Sequence, residues 1–480
     1  MDSSMDDFQY LVDAERFDFT LTLEENDEAN AIFRELRLPD TKQDEKQEAL
    51  ASILANLLHG HLIDQPVRYS RRKSSYGLPK RYGKPWFTYT HIVRTIDRLE
   101  ELGLVETRNG FRDVDGKSFI SRMRPTQRLI DLIGHRRVKN QPIKELIRLK
   151  GLDKRLIDYE ETVETGAMRE RLAAYNDLMA STEMKLVVPA GLRLTEKSDR
   201  ILRENYPWTS RIRRSLNSVH YHPYYSPYQV LIYSSLVSSP TIHPVPPPPP
   251  TTNPIHHYWG KISPEGIISP LEHVQTYRVF NRGSFEAGGR FYSRGLRSYM
   301  GLPKQLRKWI TLDGEPVVEL DYSGLHLRFA YHLKGRDYRN DPYEFCGGDE
   351  IQRKAHKLAA LILINSASRK KAIQATRKSF TEEGIPLLTD VAINTIFDRL
   401  IQEHAFIGEF FLSDAGVRFQ NRDSEIMDGI LTHFTQRGIP ILPLHDSCLI
   451  AHPHEGELRD VMAEEYRKVI GFDPVIEKKF

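Results

Sequence analysis

The sequence predicts an α+β fold, in which helices accompany an antiparallel sheet, and two stretches of the C-terminal half carry this prediction. Residues 317–328, VVELDYSGLHLR, begin as a β-prone run and continue with apolar residues at helical spacing. Residues 439–451, IPILPLHDSCLIA, place two apolar runs around a polar turn, which is typical of a buried hairpin unless the turn lies on the surface. Asp321 ends the first strand, and Asp446 lies in the turn. A buried acid is costly unless it is paired or binds a cation, so Asp321 indicates an enzyme.

Composition limits the class of protein. The 480 residues are 40% hydrophobic and 28% charged, as in a soluble globular protein with about two to four domains. No apolar run approaches the roughly 20 residues that span a bilayer, and the acidic start MDSSMDD lacks the layout of a signal peptide. Two cysteines cannot form a disulfide framework. These features predict a reducing, cytoplasmic setting without a membrane partner.

Charge is unevenly distributed, although the net charge is only +3. Residues 1–30 carry ten acids against Arg16 alone, whereas residues 61–100 carry nine Lys and Arg against three acids. Such asymmetry points to a polyanionic partner for the basic part. Charge alone is equally consistent with an ordinary solvated surface.

Changes of pattern divide the chain into five segments. An acidic arm covers residues 1–44, and a small domain with the order helix, basic loop, helix, two strands, helix covers 45–135. Residues 136–235 predict a helical connector. Residues 236–256 contain five consecutive prolines, which are typical of a stiff linker or a surface insertion. Residues 257–480 contain both strand-borne acids and form the largest predicted domain.

The small domain resembles a winged helix-turn-helix. Its first helix is predicted at 47–59, its second at 90–102, and a basic β-ribbon at 104–124 forms the wing. Four residues are predicted on the exposed face of the second helix: His91, Arg94, Thr95 and Arg98. The resemblance implies that Arg94 and Arg98 bind DNA in a groove and that the wing meets phosphates. The alternative is a module of the same shape that binds only protein.

A further stretch, residues 353–366 with the sequence RKAHKLAALILINS, predicts one helix. Arg353, Lys357, Leu361 and Asn365 recur every four residues and therefore share one stripe of this helix. The two cations lie one turn apart and can reach the same anion, so the helix is suited to hold a triphosphate. Such pairs are common, and in isolation an ordinary amphipathic helix is the better interpretation.

Two strand-borne acids far apart in sequence suit a pair of Mg²⁺ ions that bridge a phosphate. One metal lowers the pKa of an attacking 3′-hydroxyl, and the other stabilises the leaving pyrophosphate. Mg²⁺ needs few protein carboxylates, because waters and phosphate oxygens complete its octahedron. Upstream, Gly288-Gly289 and Arg290 form a basic segment in which the backbone can approach a neighbour closely.

In this order and spacing, the motifs over residues 280–455 resemble the palm and fingers of family A DNA polymerases and single-subunit phage-type RNA polymerases. DYSGLHLR is similar to the first palm motif, R-x3-K-x3-L-x3-N-S to the fingers helix, and HDS to the second palm motif. The resemblance implies a right hand with an antiparallel palm sheet, helical fingers and a thumb that the helices of 136–235 would form. It also implies Mg²⁺ or Mn²⁺ as cofactor, with nucleoside triphosphates and nucleic acid, DNA or RNA, as partners.

The resemblance also assigns roles to individual residues. Lys357 would protonate the pyrophosphate in addition to binding the triphosphate. The implied sets are the metal ligands Asp321, Tyr322 (through its carbonyl) and Asp446; the triphosphate ligands Arg353 and Lys357; the primer and template contacts Arg290, Gln420 and His445; and the sugar-selecting residues His326, Leu361 and Asn365.

Two departures from the family pattern bear on the sugar. Where DNA polymerases carry a glutamate in the first palm motif, this chain has His326, and where they carry the fingers tyrosine it has Asn365. His326 can act as a steric gate or can hydrogen-bond a ribose 2′-hydroxyl. The DYSxxxLR pattern favours the DNA-polymerase branch, whereas HDS is closer to the phage RNA polymerases.

Together these observations predict a template-dependent nucleotidyltransferase that extends a 3′ end, lacks an editing exonuclease and slightly favours DNA synthesis. An RNA polymerase or a primase of the same fold is one alternative. A non-catalytic winged-helix protein that binds DNA in replication or regulation is another. The binding protein, unlike the enzyme, should tolerate the loss of Asp321.

Overall fold

Helices and short strands alternate along the described chain in the computed structural model, which confirms an α+β fold with largely antiparallel sheets. None of the helices in the described part of the chain combines the length and the apolar character that crossing a bilayer requires. Most of the acidic arm and the proline-rich segment 236–256 lie outside the described residues. The structure describes residues 15–23, 43–62, 65–76, 78–111, 119–133, 136, 138–189, 192, 195, 198, 261–263, 266–271, 275–294, 298–386 and 389–480.

The elements are numbered in chain order. The strands are β1 (Glu15–Arg16), β2 (Leu21–Leu23), β3 (Val67–Arg68), β4 (Val105–Arg108), β5 (Arg122–Pro125), β6 (Val138–Asn140), β7 (Ile147–Leu149), β8 (Met184–Pro189), β9 (Lys261–Ser263), β10 (Gly266–Pro270), β11 (Gln275–Asn281), β12 (Ser284–Arg294), β13 (Ile310–Leu312), β14 (Glu315–Tyr322), β15 (Ile441–Leu444), β16 (Ser447–Ala451) and β17 (Ile476–Lys478). The α-helices are α1 (Gln43–Leu62), α2 (Tyr89–Glu101), α3 (Gln127–Ile133), α4 (Val163–Ser181), α5 (Lys304–Arg307), α6 (Leu325–Leu333), α7 (Glu350–Asn365), α8 (Arg369–Glu382), α9 (Asp390–Glu403), α10 (Gly416–Gln436) and α11 (Glu455–Ile470).

The first of two units comprises residues 1–144, 185–274 and 295–307, as far as these are described. One sheet has the order β1-β3-β5-β4, in which β4 and β5 form an antiparallel ribbon. Helix α1 packs against α2 and against β5, and their apolar side chains share one buried core. Helix α1 extends beyond the predicted 47–59 at both ends, and α2 is shifted by one residue from the predicted 90–102.

Two of the residues predicted on the exposed face of α2 are largely covered: Thr95 is buried, and the side chain of His91 is 10% exposed, with its Nδ1 3.7 Å from Oε2 of Glu45. Thr95 is buried, with 1% of its surface exposed, because the apolar face of α2 is wide enough to include it. Arg94 is exposed, as predicted, and has no ion pair with a described residue, whereas Arg98 pairs with Glu101 at 2.6 Å. The other buried residues of that face are Ile92, Val93, Ile96 and Leu99.

The second unit comprises residues 145–184, 275–294 and 308–480. Strand β14 is central in its main sheet: β16 pairs along one edge, with β15 beyond it, while β13 and β17 pair with the start and the end of β14 on the other edge. All these pairs are antiparallel, and β15 and β16 are the predicted hairpin. Helices α10 and α11 pack against each other and against these strands. Residues 138–189, in the predicted helical connector, contain β6, β7 and β8 as well as α4.

A buried arginine joins β12 to α10. Gly289 has a φ of +89°, and a Cβ atom there would lie 2.6 Å from Oγ of Ser424 and 2.7 Å from Cε1 of Phe280. Arg278, of which 2% is exposed, donates from Nε to the Gly289 carbonyl at 2.9 Å and from a terminal nitrogen to Oγ of Ser424 at 3.2 Å. The glycine pair therefore provides the close backbone approach that the sequence predicts, and it lets α10 lie directly on β12.

We expect Gly289→Ala to destabilise the second unit more than Gly314→Ala. Both glycines have almost the same φ, +89° and +88°, but a Cβ atom at Gly314 would meet nothing within 4 Å. Gly314→Ala should therefore cost only the left-handed strain, about 1–2 kcal/mol. Gly289→Ala should cost roughly 1–3 kcal/mol more, since the core must move to accept the methyl group. Urea unfolding of both variants measures the difference, and equal losses would contradict the close approach.

Candidate active site

Two acids meet at one end of the central sheet. Asp321 is the last residue but one of β14 and lies opposite Ser447 of β16. Asp446 is in the two-residue turn between β15 and β16, and its neighbour in the turn, His445, has a φ of 61°. The Tyr322 amide donates a hydrogen bond to the Asp446 carbonyl at 3.3 Å, which fixes the turn against the end of β14. The structure therefore brings together the two acids that the sequence analysis singled out.

The surroundings of Asp321 disfavour the ionised form of its carboxyl group. Burial, and next the charge of Asp446, raise the pKa of Asp321, whereas Lys479 and Lys357 lower it. The net effect is a rise from 3.8 to about 6. Like charges in a site of low polarity favour protonation of one of them. A bound cation would favour the ionised form instead.

Lys479 is the direct counter-ion of Asp321, and the sequence analysis missed it. Its Nζ lies 2.8 Å from Oδ2 of Asp321 and 3.0 Å from Oε2 of Glu477. The pairing of β17 with β14 places Glu477 opposite Asp321, and the Lys479 amide donates to the Glu319 carbonyl at 2.9 Å. This pairing joins residues more than 150 positions apart, and local periodicity carries no signal for it.

A second acid on the same strand was also missed. Glu319 is buried, with 3% of its surface exposed, and its Oε1 accepts a hydrogen bond from Oγ of Ser447 at 3.2 Å. Alternation along a strand places Glu319 on the same face of β14 as Asp321, and that spacing could have revealed it. Burial raises the pKa of the Cys448 thiol, and the negative charges of Glu319, Asp321 and Asp446 raise it further.

The donor set suits Mg²⁺ shared with a ligand, not a metal held by protein alone. Within the described ranges, no group of three or more His, Cys, Asp or Glu side chains is arranged to hold a metal. Mg²⁺ is commonly bound by only one or two carboxylates together with substrate phosphates, and Asp321 and Asp446 provide that number. Tyr322 could add only its carbonyl, because its hydroxyl donates to the Met462 carbonyl at 2.7 Å in the core. A metal here would replace Lys479 as the counter-charge.

The two predicted triphosphate ligands on α7 have different surroundings. Lys357 is exposed and has no ion pair with a described residue. Its charge lowers the pKa of both Asp321 and Glu477, so its ammonium group lies within electrostatic range of these two acids. Arg353 forms a bidentate pair with Asp341, one bond of which is 2.9 Å, and its guanidinium lies over the Tyr343 ring. The hydrogen bond from Arg353 lowers the pKa of Asp341.

Arg290 is bound to an acid that the sequence analysis did not single out. Its Nε lies 3.0 Å from Oδ2 of Asp423, whose side chain is 2% exposed. Burial lowers the pKa of Arg290, but Asp423 and then Asp446 raise it, and the net shift is upward. Arg290 therefore lies in the field of the acid pair, and its charge is shared with a buried partner. The signal for Asp423 was its place in the polar segment at the start of α10.

His326 lies against this ion pair, and one of its ring nitrogens has no hydrogen-bond partner in the described part of the chain. Its Nε2 lies 3.8 Å from Oδ2 of Asp423 and 3.5 Å from a terminal nitrogen of Arg290, and its ring meets Phe419 edge-on. Its Nδ1 is buried and has no hydrogen-bond partner among the described residues. A buried nitrogen without a partner is costly, so this atom is where a ligand could donate or accept a hydrogen bond.

The other two sugar-selecting candidates lie on α7. The Asn365 amide donates to the Leu361 carbonyl at 2.7 Å, and its side chain lies where a Cβ atom of Gly416 would be. Leu361 is 47% exposed. The described contacts of Asn365 are thus with α7 and α10 and include none with His326. The predicted pairing of His326 with Asn365 stays a prediction.

An aromatic row leads from the turn of Asp446 along the β11–β12 hairpin. The ring of His445 meets that of Tyr292 at a centroid distance of 5.9 Å, Tyr292 stacks on Tyr277 at 5.9 Å, and the guanidinium of Arg148 lies 4.2 Å from the centre of Tyr277. Aromatic faces and arginine together are typical of surfaces on which bases stack. Gln420 on α10 is half-exposed and has no described hydrogen bond from its side chain.

We expect Asp321→Asn to stabilise the metal-free protein above pH 6. The pKa of Asp321 is higher in the folded protein than in the unfolded chain, so ionisation of Asp321 lowers the free energy of unfolding. This loss of stability is complete above the folded pKa of about 6 and absent below the ordinary value of 3.8. Its upper limit is about 3 kcal/mol, since a pKa change of one corresponds to about 1.36 kcal/mol. Urea unfolding with a chelator at pH 7.5 and pH 4 should show a gain for Asp321→Asn only at the higher pH.

Glu477→Gln is the matched control for this measurement. A hydrogen bond from Ser323, and also one from Lys479, lowers the pKa of Glu477, so its ionised form stabilises the fold above its ordinary pKa. Its loss should therefore weaken folding slightly at pH 7.5, opposite in sign to Asp321→Asn. A destabilising Asp321→Asn at pH 7.5 would show that the pair with Lys479 outweighs burial and the repulsion from Asp446.

Comparison with known proteins assigns no family to this chain. No model of a protein family matches it, and no curated protein sequence matches it significantly. The functional interpretation therefore depends on the residues themselves and on the geometry of the site.

Proposed function

We propose that this chain is a template-dependent nucleic-acid polymerase, a nucleotidyltransferase that extends a 3′ end with the help of two metal ions and slightly favours DNA synthesis. The observation that carries the proposal is the convergence of Asp321 and Asp446 at one end of an antiparallel sheet, with Lys357 of α7 in electrostatic reach of Asp321. Two carboxylates and a lysine in this relation supply the charges that phosphoryl transfer requires.

The right-hand arrangement is part of the proposal. The sheet of β13 to β17 would be the palm, α7 to α9 the fingers, and α4 part of the connector or thumb. The β1-β3-β5-β4 sheet with α1 to α3 would be a winged-helix domain that recruits nucleic acid through Arg94, Arg98 and the wing. The aromatic row from His445 to Arg148 would support the nucleic acid near the acids, together with Gln420.

The chemistry divides among the residues of the site. Asp321, Asp446 and the Tyr322 carbonyl would hold Mg²⁺ or Mn²⁺, and the metal would lower the pKa of the 3′-hydroxyl of the primer and supply positive charge that stabilises the pyrophosphate. Lys357 would bind the triphosphate and give its proton to the leaving pyrophosphate oxygen. Arg353 would exchange its bidentate partner from Asp341 to a phosphate, since both offer oxygens to the same planar guanidinium.

Sugar selection would depend on His326. Its Nε2 faces Arg290 and Asp423, while its Nδ1 has no partner among the residues that the structure describes. A ribose 2′-hydroxyl could satisfy that nitrogen, whereas a deoxyribose would leave it unpaired. Such a hydrogen bond would favour ribonucleotides, whereas the motif pattern favours DNA synthesis. RNA synthesis, including a primase role, is therefore the alternative within the same reaction class.

A non-catalytic nucleic-acid-binding protein is the second candidate, and one observation favours it. The charges of two key residues are already neutralised within the chain: Asp321 by Lys479 and Arg353 by Asp341. Internal pairs of this kind would persist in a binding protein that never meets a triphosphate. They would have to open in an enzyme.

Primer extension with purified protein tests the enzyme directly. Wild type should incorporate nucleotides with Mg²⁺ or Mn²⁺, and Asp321→Asn and Asp446→Asn should each lower the rate by about 10³-fold or more, because each removes a charge that holds the metal. Lys357→Met should lower it by about 10²-fold, the scale of general-acid catalysis. Deoxynucleotides and ribonucleotides are compared on DNA and RNA templates.

Asp153→Asn is a suitable control for this assay. Asp153 is an exposed carboxylate whose side chain accepts a hydrogen bond only from the nearby Arg155 amide among described partners, so its loss should leave the rate unchanged. If wild type shows no incorporation that depends on the two acids, the enzyme proposal fails. Retained DNA binding by Asp321→Asn without any activity in wild type would favour the binding protein.

Thermal unfolding tests the metal site without catalysis. Because a ligand that binds only the folded state stabilises it, Mg²⁺ or Mn²⁺ should raise the Tm of wild type at pH 7.5. The rise should be absent in Asp321→Asn and Asp446→Asn. In Lys479→Met it should occur at a lower metal concentration, since the competing ammonium is gone. An equal rise in all four proteins would assign the effect to other sites.

A further inference from the structure

A cavity of about 730 Å³ lies in the first unit, between the loop that follows β3 and the ribbon of β4 and β5. The recognition face of α2 does not use it, and it belongs to a different unit from the acids. Its volume is in the range of small-ligand sites. Residues from both sides line it, including Arg71, Arg72, Asn109, Phe111, Phe119 and Ile120.

An ordered aromatic pair forms one wall of this cavity. The rings of Phe111 and Phe119 stack with a centroid distance of 4.7 Å and an interplanar angle of 13°. Their backbones exchange two hydrogen bonds, of 3.1 and 2.7 Å. The ribbon is tight here, because a Cβ atom at Gly110 would lie 2.5 Å from the Phe119 carbonyl. The backbone of the ribbon therefore places the two rings side by side.

This wall remains open to solvent. Phe111 is 47% exposed and Ile120 is 53% exposed. One face of Phe111 is covered by Phe119, and Phe119 in turn has the Arg122 guanidinium 5.6 Å from its centre. The outer face of Phe111 is thus the surface left for a flat partner. An exposed apolar patch within a cavity is typical of a binding surface.

The opposite side of the cavity is basic. Arg71 is held by Asp97 at 2.5 Å and by the Tyr69 hydroxyl at 2.9 Å, so its position is defined. Arg72 is exposed and has no ion pair with a described residue. The hydroxyls of Ser70 and Ser75, which lie 2.7 Å apart, add donors and acceptors on this side. A defined cation and a second, uncommitted one suit a phosphate group.

We propose that this cavity binds a single nucleotide, with its base stacked on Phe111 and its phosphate at Arg71 and Arg72. A stacking face and two cations across one cavity match the two halves of a nucleotide, and Asn109 offers an amide to the edge of a base. The nucleotide is either an unpaired residue of a nucleic-acid strand or a free mononucleotide. The proposal is independent of the proposed catalysis.

The test is binding of the full chain to labelled DNA, measured by fluorescence anisotropy without divalent metal or triphosphates. A duplex with an unpaired end should bind more tightly than the same duplex with blunt ends, by roughly 5- to 100-fold, the scale of stacking one base. Abasic residues in the unpaired end should remove this preference. Phe111→Ala should remove it too, and thermal unfolding of the variant beside wild type shows that the domain is still folded.

Phe111→Tyr and Phe111→Leu are the matched variants. Tyr keeps the ring and should keep the preference, whereas Leu keeps the apolar volume and should lose it. Competition by free nucleotides distinguishes the two sources. If a free mononucleotide displaces the labelled DNA at concentrations similar to those of the DNA with an unpaired end, and if Phe111→Ala removes this displacement, the ligand is a free mononucleotide. If Phe111→Ala changes neither the preference for an unpaired end nor the binding of free nucleotides, the proposal is overturned. Because these binding measurements contain no divalent metal or triphosphate, their outcome does not depend on whether the chain is a polymerase.

Discussion

The register between β14 and β16 is the constraint on which the candidate active site depends. With Asp321 opposite Ser447, the turn that carries Asp446 must lie against the end of β14, and two negative charges share one partly buried place. A shift by one residue would turn Asp321 to the other face of the sheet. The buried strand interiors, such as Leu320 and Cys448, prevent that shift. Core packing therefore holds two like charges together although they repel.

Around this pair, the unit neutralises its charges in separate pairs. Lys479 forms an ion pair with Asp321, Arg290 with Asp423, and Arg353 with Asp341. Under the proposed function, binding of a metal and a triphosphate would exchange these partners and would not create new buried charges. The exchange is unequal among them: Arg353 and Asp341 are each at least 40% exposed, whereas Asp423 is 2% exposed. The first pair can open at little cost, and the second is part of the structure.

The sequence predicted the parts of this site that local patterns encode. The strand ends that carry Asp321 and Asp446 follow from apolar runs, and α7 ends within one residue of the predicted helix at 353–366. Lys479, Asp341 and Asp423 were missed as partners because each meets its counter-charge through tertiary packing, which has no period in the sequence. Thr95 was placed wrongly for a related reason, since the width of the buried face of α2 depends on what packs against it.

His326 shows how the same packing bears on specificity. A histidine that only filled space would need no fixed orientation, yet Phe419 meets its ring edge-on and Arg290 and Asp423 lie against its Nε2. That orientation leaves Nδ1 as the nitrogen without a described partner. Discrimination by a hydrogen bond is stronger than discrimination by size, because an analogue that lacks the group leaves a buried atom unpaired. The choice of sugar, under the proposed function, therefore rests on one nitrogen whose direction is set by the buried pair behind it.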